Sequence, residues 1–309
     1  MKIAVIIPAY NESVTIQAVL QEFYDELPMA QLVVINNNSS DDTAELACKK
    51  IAELNAAGQV ITEIRQGKAM AVRRAFKEIE ADVYVMVDAD CTYPARHVHA
   101  LISPIINGTA DMVVGDRHSE GHYAKENKRS FHGFGNNLVK LLVNRLFNSK
   151  LNDIMSGYRA FSREFVKNYP IMVDGFQIET EVTLHALDKR FAISEVNIDY
   201  KDRPEGSFSK LNTFSDGFRV LATIFQIFRH YKPFVFFSFL SFLFVVASLM
   251  ASIPVFEDWL KYQHIYHVPL AILSAGLGIV AMLLVGVGLI LDAISHHQKF
   301  DFEHKLIND

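Results

Sequence analysis

The sequence predicts an α/β domain on a mostly parallel sheet, followed by interfacial amphipathic helices and two C-terminal membrane-spanning helices. Three observations carry this. Short apolar runs alternate with segments of helical spacing over the first part of the chain. Polar clusters follow those runs, where ligands bind at the carboxyl ends of strands in open α/β sheets. Two uncharged apolar runs, 20 residues over 234–253 and 24 residues over 268–291, lie near the C-terminus.

The elements follow in order. Residues 2–8 read as a buried strand through Ile3, Ala4, Val5, Ile6 and Ile7, stopped by Asn11-Glu12-Ser13, and 14–26 has helical spacing. Residues 32–35 form a second apolar run, ended by the polar stretch 36–42, with a helix expected over 43–56. A third strand is expected at 60–64, a helix at 68–79 and a fourth strand at 83–87. A fifth, at 112–114, ends in Gly115-Asp116-Arg117. Strands alternating with helices imply parallel pairing with helices on both faces. No repeat recurs at a period of roughly 20–50 residues, which excludes a solenoid. Nor does a Gly-x-Gly-x-x-Gly motif follow the first strand, which disfavours a dinucleotide fold.

A hydrocarbon core about 30 Å thick needs about 20 helical residues, so both C-terminal runs are long enough to span. Arg229 and Lys232 precede the first, and Lys299 and Lys305 follow the second. The connection over 254–267, opened by Pro254, holds only Lys261 against Glu257 and Asp258. The positive-inside rule puts both termini in the cytoplasm, and a bacterial inner or plasma membrane is expected. Ser274, Gly278 and Gly286 are expected to let the second span approach a neighbouring helix. Leu211, Phe214, Phe218, Leu221, Phe225 and Phe228 recur at three- and four-residue steps, the pattern of a helix lying in the bilayer interface. Residues 131–147 read as a second such helix, striped by Leu138, Leu142 and Leu146. The expected organisation is a cytoplasmic α/β domain over 1–210, an interfacial helix over 211–232 and a two-span hairpin with a cytoplasmic tail over 233–309.

Composition excludes several classes. Half of the residues are hydrophobic and 21% charged, so the bulk of the chain is not disordered. Cys48 and Cys91 are the two cysteines and supply no disulfide framework. A net charge of −5 argues against nucleic acid as a partner.

The chemistry concentrates at Asp88-Ala89-Asp90, after the apolar run Val83-Tyr84-Val85-Met86-Val87. Two carboxylates at i and i+2 leaving a strand can converge on one hard divalent cation and bridge it to a diphosphate. Other motifs keep company with it: Ile6-Ile7-Pro8-Ala9-Tyr10-Asn11-Glu12, the stretch from Asn36 to Thr43, Gly67-Lys68-Ala69, and Asp153-Ile154-Met155-Ser156-Gly157-Tyr158-Arg159. The segment from Asp116 to Lys150 carries seven basic residues and three acids.

In this order the motifs resemble the family-2 glycosyltransferases of the GT-A fold. The Ser156–Arg159 segment and the two spans narrow the resemblance to polyprenyl-phosphate glycosyltransferases, such as dolichyl-phosphate mannose synthases and bacterial undecaprenyl-phosphate glycosyltransferases. The resemblance implies inverting transfer of a sugar from a nucleotide-diphosphate sugar to undecaprenyl or dolichyl phosphate. UDP-glucose or UDP-N-acetylglucosamine is the expected donor. GDP-mannose as donor, extension of a lipid-linked saccharide, and a non-catalytic nucleotide-sugar-binding adaptor stay open as alternatives. A processive polysaccharide synthase is disfavoured, because its Gln-x-x-Arg-Trp motif is absent and the one tryptophan, Trp259, lies between the spans.

The resemblance also implies roles. Pro8, Tyr10 and Glu12 would line the nucleoside pocket, and Asp88 and Asp90 would hold Mg²⁺ or Mn²⁺. Gly67 and Lys68 would lie beside the nucleotide, with Arg203 and Lys210 on the diphosphate. Arg117 and Arg129 would bind the acceptor phosphate. Asp153, Ser156 and Arg159 would sit at the sugar or phosphate end, although Arg159 as a brace for Asp153 stays open. Ser156, Glu179 and Glu181 would meet sugar hydroxyls, with a structural helix start the competing reading for the two glutamates. The expected catalytic set is Asp88, Asp90, Arg117, Arg129, Asp153 and Arg159. Asn36 and Asn37 stand where the family often has acids, so any base contact by Asn37 lacks charge assistance. Membrane lipid and a second copy of the chain complete the expected partners.

Overall fold

A computed structural model describes residues 1–117, 130–171, 178–201, 203–204 and 225–308. The chain divides into two compact units, Met1–Gly217 and Phe218–Asp309.

The first unit is built on one seven-stranded sheet of order β3-β2-β1-β4-β6-β5-β7. Its strands are β1 (Ile3–Ala9), β2 (Gln31–Asn36), β3 (Gly58–Thr62), β4 (Val83–Met86), β5 (Met112–Asp116), β6 (Arg159–Ser162) and β7 (Ile193–Asn197). Strands β3, β2, β1 and β4 pair in parallel, as do β5 and β7, whereas β6 runs antiparallel to both β4 and β5. Strands β1, β2 and β4 read as unbroken apolar runs because helices cover both of their faces, leaving Val5–Ile7, Leu32–Ile35 and Val83–Met86 almost wholly buried. Helix α1 (Ile16–Glu26) seals one face with Ile16, Val19, Leu20 and Phe23, spaced as one helical stripe. Helices α2 (Thr43–Glu53), α3 (Lys68–Glu78), α4 (Val98–Ile106), α5 (Ser130–Phe147), α6 (Arg163–Asn168) and α7 (Ile178–Asp188) complete the layers.

Strands β1 to β5 and helices α1 to α3 match the expected elements to within a few residues, whereas α4, between β4 and β5, was not expected. Strands β6 and β7 were not anticipated. In α5 the buried stripe is Val139 and Val143, with Leu138, Leu142 and Leu146 half-buried beside it. That helix therefore packs on the domain through valines one position along from the expected leucines.

The second unit opens with helical residues 225–231, the described part of the expected interfacial helix; its residues 211–224 lie outside the described residues. Helices α8 (Pro233–Tyr262) and α9 (Val268–Asn308) follow, both long and apolar enough to cross a membrane. Pro254 does not end the first span, as expected from sequence, but is carried inside α8. The connection shrinks to 263–267, where the Asp258 carboxylate accepts hydrogen bonds from the backbone N–H groups of Tyr266 and His267. The two helices are joined by hydroxyl-to-carbonyl bonds, Ser241 to Ala281 and Ser248 with Ser274 in both directions. Ser274 and Gly278 face α8 as expected, but Gly286 faces open space and Gly288 makes the close approach, beside Phe234 and Phe237.

Candidate active site

The carboxyl ends of β1, β2 and β4 meet along one edge of the sheet, and their loops share a backbone signature. Asn11, Asn38 and Cys91 hold φ of 53°, 58° and 61°, in the left-handed region. Asparagine enters this region readily; a cysteine there marks a turn held by its surroundings. The first two loops interlock. Asn11 N–H donates to Ser39 Oγ, Glu12 N–H to Thr43 Oγ1 and Ser40 N–H to Asn11 Oδ1. Pro8, Tyr10 and Glu12 are thereby held, half-buried, at the end of β1.

Asn37 differs from expectation. Its Nδ2 donates to the carbonyls of Glu63 and Arg65, at 3.3 and 2.7 Å, and its Oδ1 accepts from Gly67 N–H at 2.8 Å. Both ends of the amide pin the loop before α3, so Asn37 positions Gly67 rather than reading a base. An aspartate there would set a charge against two carbonyl oxygens, which accounts for the amide. Gly67 itself, at φ 130°, opens α3 in a conformation that a side chain would resist.

Lys68, the first residue of α3, reaches Asp88 Oδ1 and lies 2.5 Å from Glu179 Oε1 at the start of α7. Burial works against its charge, but the two carboxylates prevail and hold its pKa above the ordinary lysine range. Asp90 is buried. Its Oδ1 accepts from Thr92 N–H and, at 2.6 Å, from Thr92 Oγ1, and its Oδ2 pairs with Arg203 Nη2 at 2.6 Å. Burial, and then the charge of Asp88, push the Asp90 pKa up in spite of Arg203 and Thr92. Two carboxylates leaving one strand this close together offer the hard oxygens that a divalent cation takes. Among the described residues no third His, Cys, Asp or Glu joins them. The pair therefore suits a metal that shares its shell with water or phosphate oxygens.

A second cluster adjoins the first. Arg117 grips Asp153 bidentately, Nε to Oδ2 at 2.6 Å and Nη2 to Oδ1 at 3.0 Å, with both side chains nearly buried. Its Nη1 donates toward Tyr93 Oη at 3.4 Å, and its guanidinium lies 5.6 Å from the Tyr200 ring centroid. Tyr93 Oη also accepts from Gly157 N–H at 3.0 Å, linking this cluster to the first. A Cβ on Gly157 would come within 2.5 Å of Asp88 Oδ2 and 3.0 Å of Lys68 Nζ. Gly157→Ala is therefore expected to displace the Asp88–Lys68 pair and to lower turnover at least tenfold, with a much smaller shift in melting temperature. Turnover at wild-type level would show that this contact is irrelevant.

Arg159 corrects the catalytic assignment. It is fully buried at the head of β6, donating to the carbonyls of Ser156 and Ile154 and to Thr183 Oγ1, each within 2.9 Å. It braces the 154–156 loop through backbone carbonyls and Thr183, a structural role as the alternative reading had it, but on these groups where Asp153 was the expected partner. Ser156 is likewise buried, and its Oγ accepts from Tyr158 N–H, so it faces no sugar. Glu181 accepts from the Tyr169 hydroxyl, apart from the Lys68 cluster. Arg129 and Lys210 lie outside the described residues. Tyr93 and Glu195, whose carboxylate accepts from the N–H groups of Asn152 and Asp153, were missed; nothing in their spacing marks them.

Residues 4–169, more than half of the chain, match the family described as Glycosyl transferase family 2. Similar proteins include Glycosyltransferase AglJ of Haloferax volcanii, 29% identical over 293 residues, covering 94% of this chain and 90% of the relative. The dolichol-phosphate mannosyltransferase of Pyrococcus furiosus is 30% identical over 239 residues, 74% of this chain and 62% of that protein. Among solved structures, glucosyl-3-phosphoglycerate synthase of Mycobacterium tuberculosis, in complex with Mn²⁺, UDP and glucosyl-3-phosphoglycerate, has a TM-score of 0.55 at 22% identity. It covers 74% of this chain and 79% of that chain, a likeness of fold. The mixed, mostly parallel sheet with its acidic loop after β4, and the match over 4–169, make the chain a glycosyltransferase of the GT-A fold, belonging to glycosyl transferase family 2.

Proposed function

We propose that the protein transfers a sugar, with inversion, from a nucleotide-diphosphate sugar to a polyprenyl phosphate at the cytoplasmic face of a membrane. One observation carries the reading. A family-2 catalytic domain is continued in the same chain by two helices of 30 and 41 residues, both apolar enough to span. An acceptor that lives in the bilayer gives such helices a purpose. The name of the Pyrococcus relative supports the same acceptor class. UDP-glucose and UDP-N-acetylglucosamine are the proposed donors, with GDP-mannose the alternative.

Asp88 and Asp90 are assigned to Mg²⁺ or Mn²⁺, which as a Lewis acid would stabilise the leaving diphosphate. Pro8, Tyr10, Glu12, Gly67, Lys68 and Arg203 are assigned to the nucleotide, Lys210 beside them. A phosphate monoester has a second pKa of about 6, so the lipid phosphate is largely dianionic near neutral pH. Its oxygen can attack the sugar C1 as the bond from C1 to the diphosphate oxygen breaks, and no protein base is required. The chain's own task is to hold two anions together, which needs cations. Arg117 and Arg129 are assigned to it, with Asp153 fixing the Arg117 guanidinium and Glu179 near the sugar.

The test is to supply the full-length protein in liposomes with polyprenyl phosphate and each nucleotide-sugar in turn, and to weigh the extracted lipid. Topology has its own check. In a background without Cys48 and Cys91, Trp259→Cys and Phe300→Cys are expected to react with an impermeant thiol reagent from opposite sides. Labelling of both from one side would refute the two-span hairpin.

A further inference from the structure

The metal-facing carboxylates are already matched by cations. The Lys68 ammonium lies against Asp88 and Glu179, with side-chain exposures of 11, 27 and 10% in that order. Asp90 is matched by Arg203. Three acids and two cations leave a formal charge of −1. A divalent cation arriving alone must settle beside an ammonium and a guanidinium, both held within a few ångströms of its ligands. A diphosphate changes this, because it brings negative oxygens that can take over both side chains. Lys68 is suited to changing partners, since it stands at the N-terminus of α3, where anions are favoured, on a long flexible stem.

Resting on the assignment of Asp88 and Asp90 to the metal, we propose that Lys68 is a built-in counter-ion that holds the cation's place in the donor-free protein and passes to the donor's diphosphate when the metal enters. Metal and nucleotide then bind cooperatively, and linkage makes the effect reciprocal. The site discriminates against metal without donor.

The experiment measures free Mn²⁺ by its electron spin resonance signal, using full-length protein in detergent, with Mn²⁺ alone and with UDP or GDP added. Lys68→Met is expected to bind Mn²⁺ alone at least tenfold more tightly than wild type, and nucleotide enhancement is expected to shrink by a similar factor. Lys68→Met/Glu179→Gln removes one cation and one acid, so its site keeps the wild-type formal charge and no buried carboxylate is stranded. It is expected to show the same tightening, which separates a local counter-ion from bulk charge. Lys68→Arg is expected to stay close to wild type. If neither Met variant binds Mn²⁺ alone more tightly than wild type, Lys68 is a fixed strut between α3 and α7 and the proposal fails. If the tightening survives added Asp88→Asn and Asp90→Asn, the metal lies elsewhere, and the assignment of the carboxylates fails instead.

Discussion

Asp90→Asn is expected to lower sugar transfer by about three orders of magnitude. A Lewis-acidic metal contributes several kcal/mol to a developing negative charge, and each 1.4 kcal/mol is tenfold. The substitution keeps the side chain's shape but removes the charge that a metal needs. It also sets an amide against groups that all donate, because Asp90 accepts from Thr92 N–H, Thr92 Oγ1 and Arg203. Folding should change far less than turnover. The check is steady-state transfer with Mn²⁺ or Mg²⁺, alongside hydrogen exchange of the catalytic domain. Chelation should silence the wild type, and either metal should restore it. Turnover within threefold of wild type in Asp90→Asn would remove the metal from the account.

The second large effect concerns Arg117, whose substitution reaches further than acceptor affinity. Arg117→Ala strands the Asp153 carboxylate, which is 1% exposed, and breaking a buried pair by removing one partner costs about 3–5 kcal/mol. Arg117→Lys should recover only part of this, since an ammonium cannot span both carboxylate oxygens. Replacing both partners, as Arg117→Met/Asp153→Leu, should restore most of the stability because no charge is left behind. If Arg117 also serves the lipid phosphate, that double variant will be stable but weak for polyprenyl phosphate, with donor affinity little changed. Stability must be followed by hydrogen exchange or calorimetry, because Trp259, the sole tryptophan, lies in α8 and reports on the hairpin. A double variant that is both stable and fully active would make the pair purely structural.

Strands β1, β2, β4 and β5 were legible because each is an apolar run that stops at a polar loop, the pattern of a strand buried on both faces, whereas β3, at the sheet edge, has only Val60 and Ile61 half-buried. Strand β6 was not, since four residues opening on Arg159 carry neither period nor hydrophobic length. Strand β7, Ile193–Asn197, lies at a sheet edge, mixes polar and apolar residues without a period of two, and reads as surface. The position of β6 between β4 and β5 is a long-range fact with no local signature. The acidic loop stood out in the sequence only in company with the other motifs, because an Asp-x-Asp triplet alone serves equally as a solvated turn. Burial was the harder property. An arginine reads as surface or ligand contact until the fold shows two carbonyls and a threonine closing around it, as at Arg159. Asn37 shows the same limit, for its amide is consumed by a loop about thirty residues further along the chain.

The central claim, that the acceptor is a lipid phosphate monoester, is tested most directly by competition. The full-length protein in liposomes would receive one nucleotide-sugar donor together with equal amounts of polyprenyl phosphate, a polyprenyl diphosphate already bearing a sugar, and 3-phosphoglycerate. Mass spectrometry of all three pools would follow. The expected product is polyprenyl phosphate carrying one hexose or N-acetylhexosamine, at least a hundredfold above the other two. Sugar appearing chiefly on the primed lipid or on 3-phosphoglycerate would contradict the account.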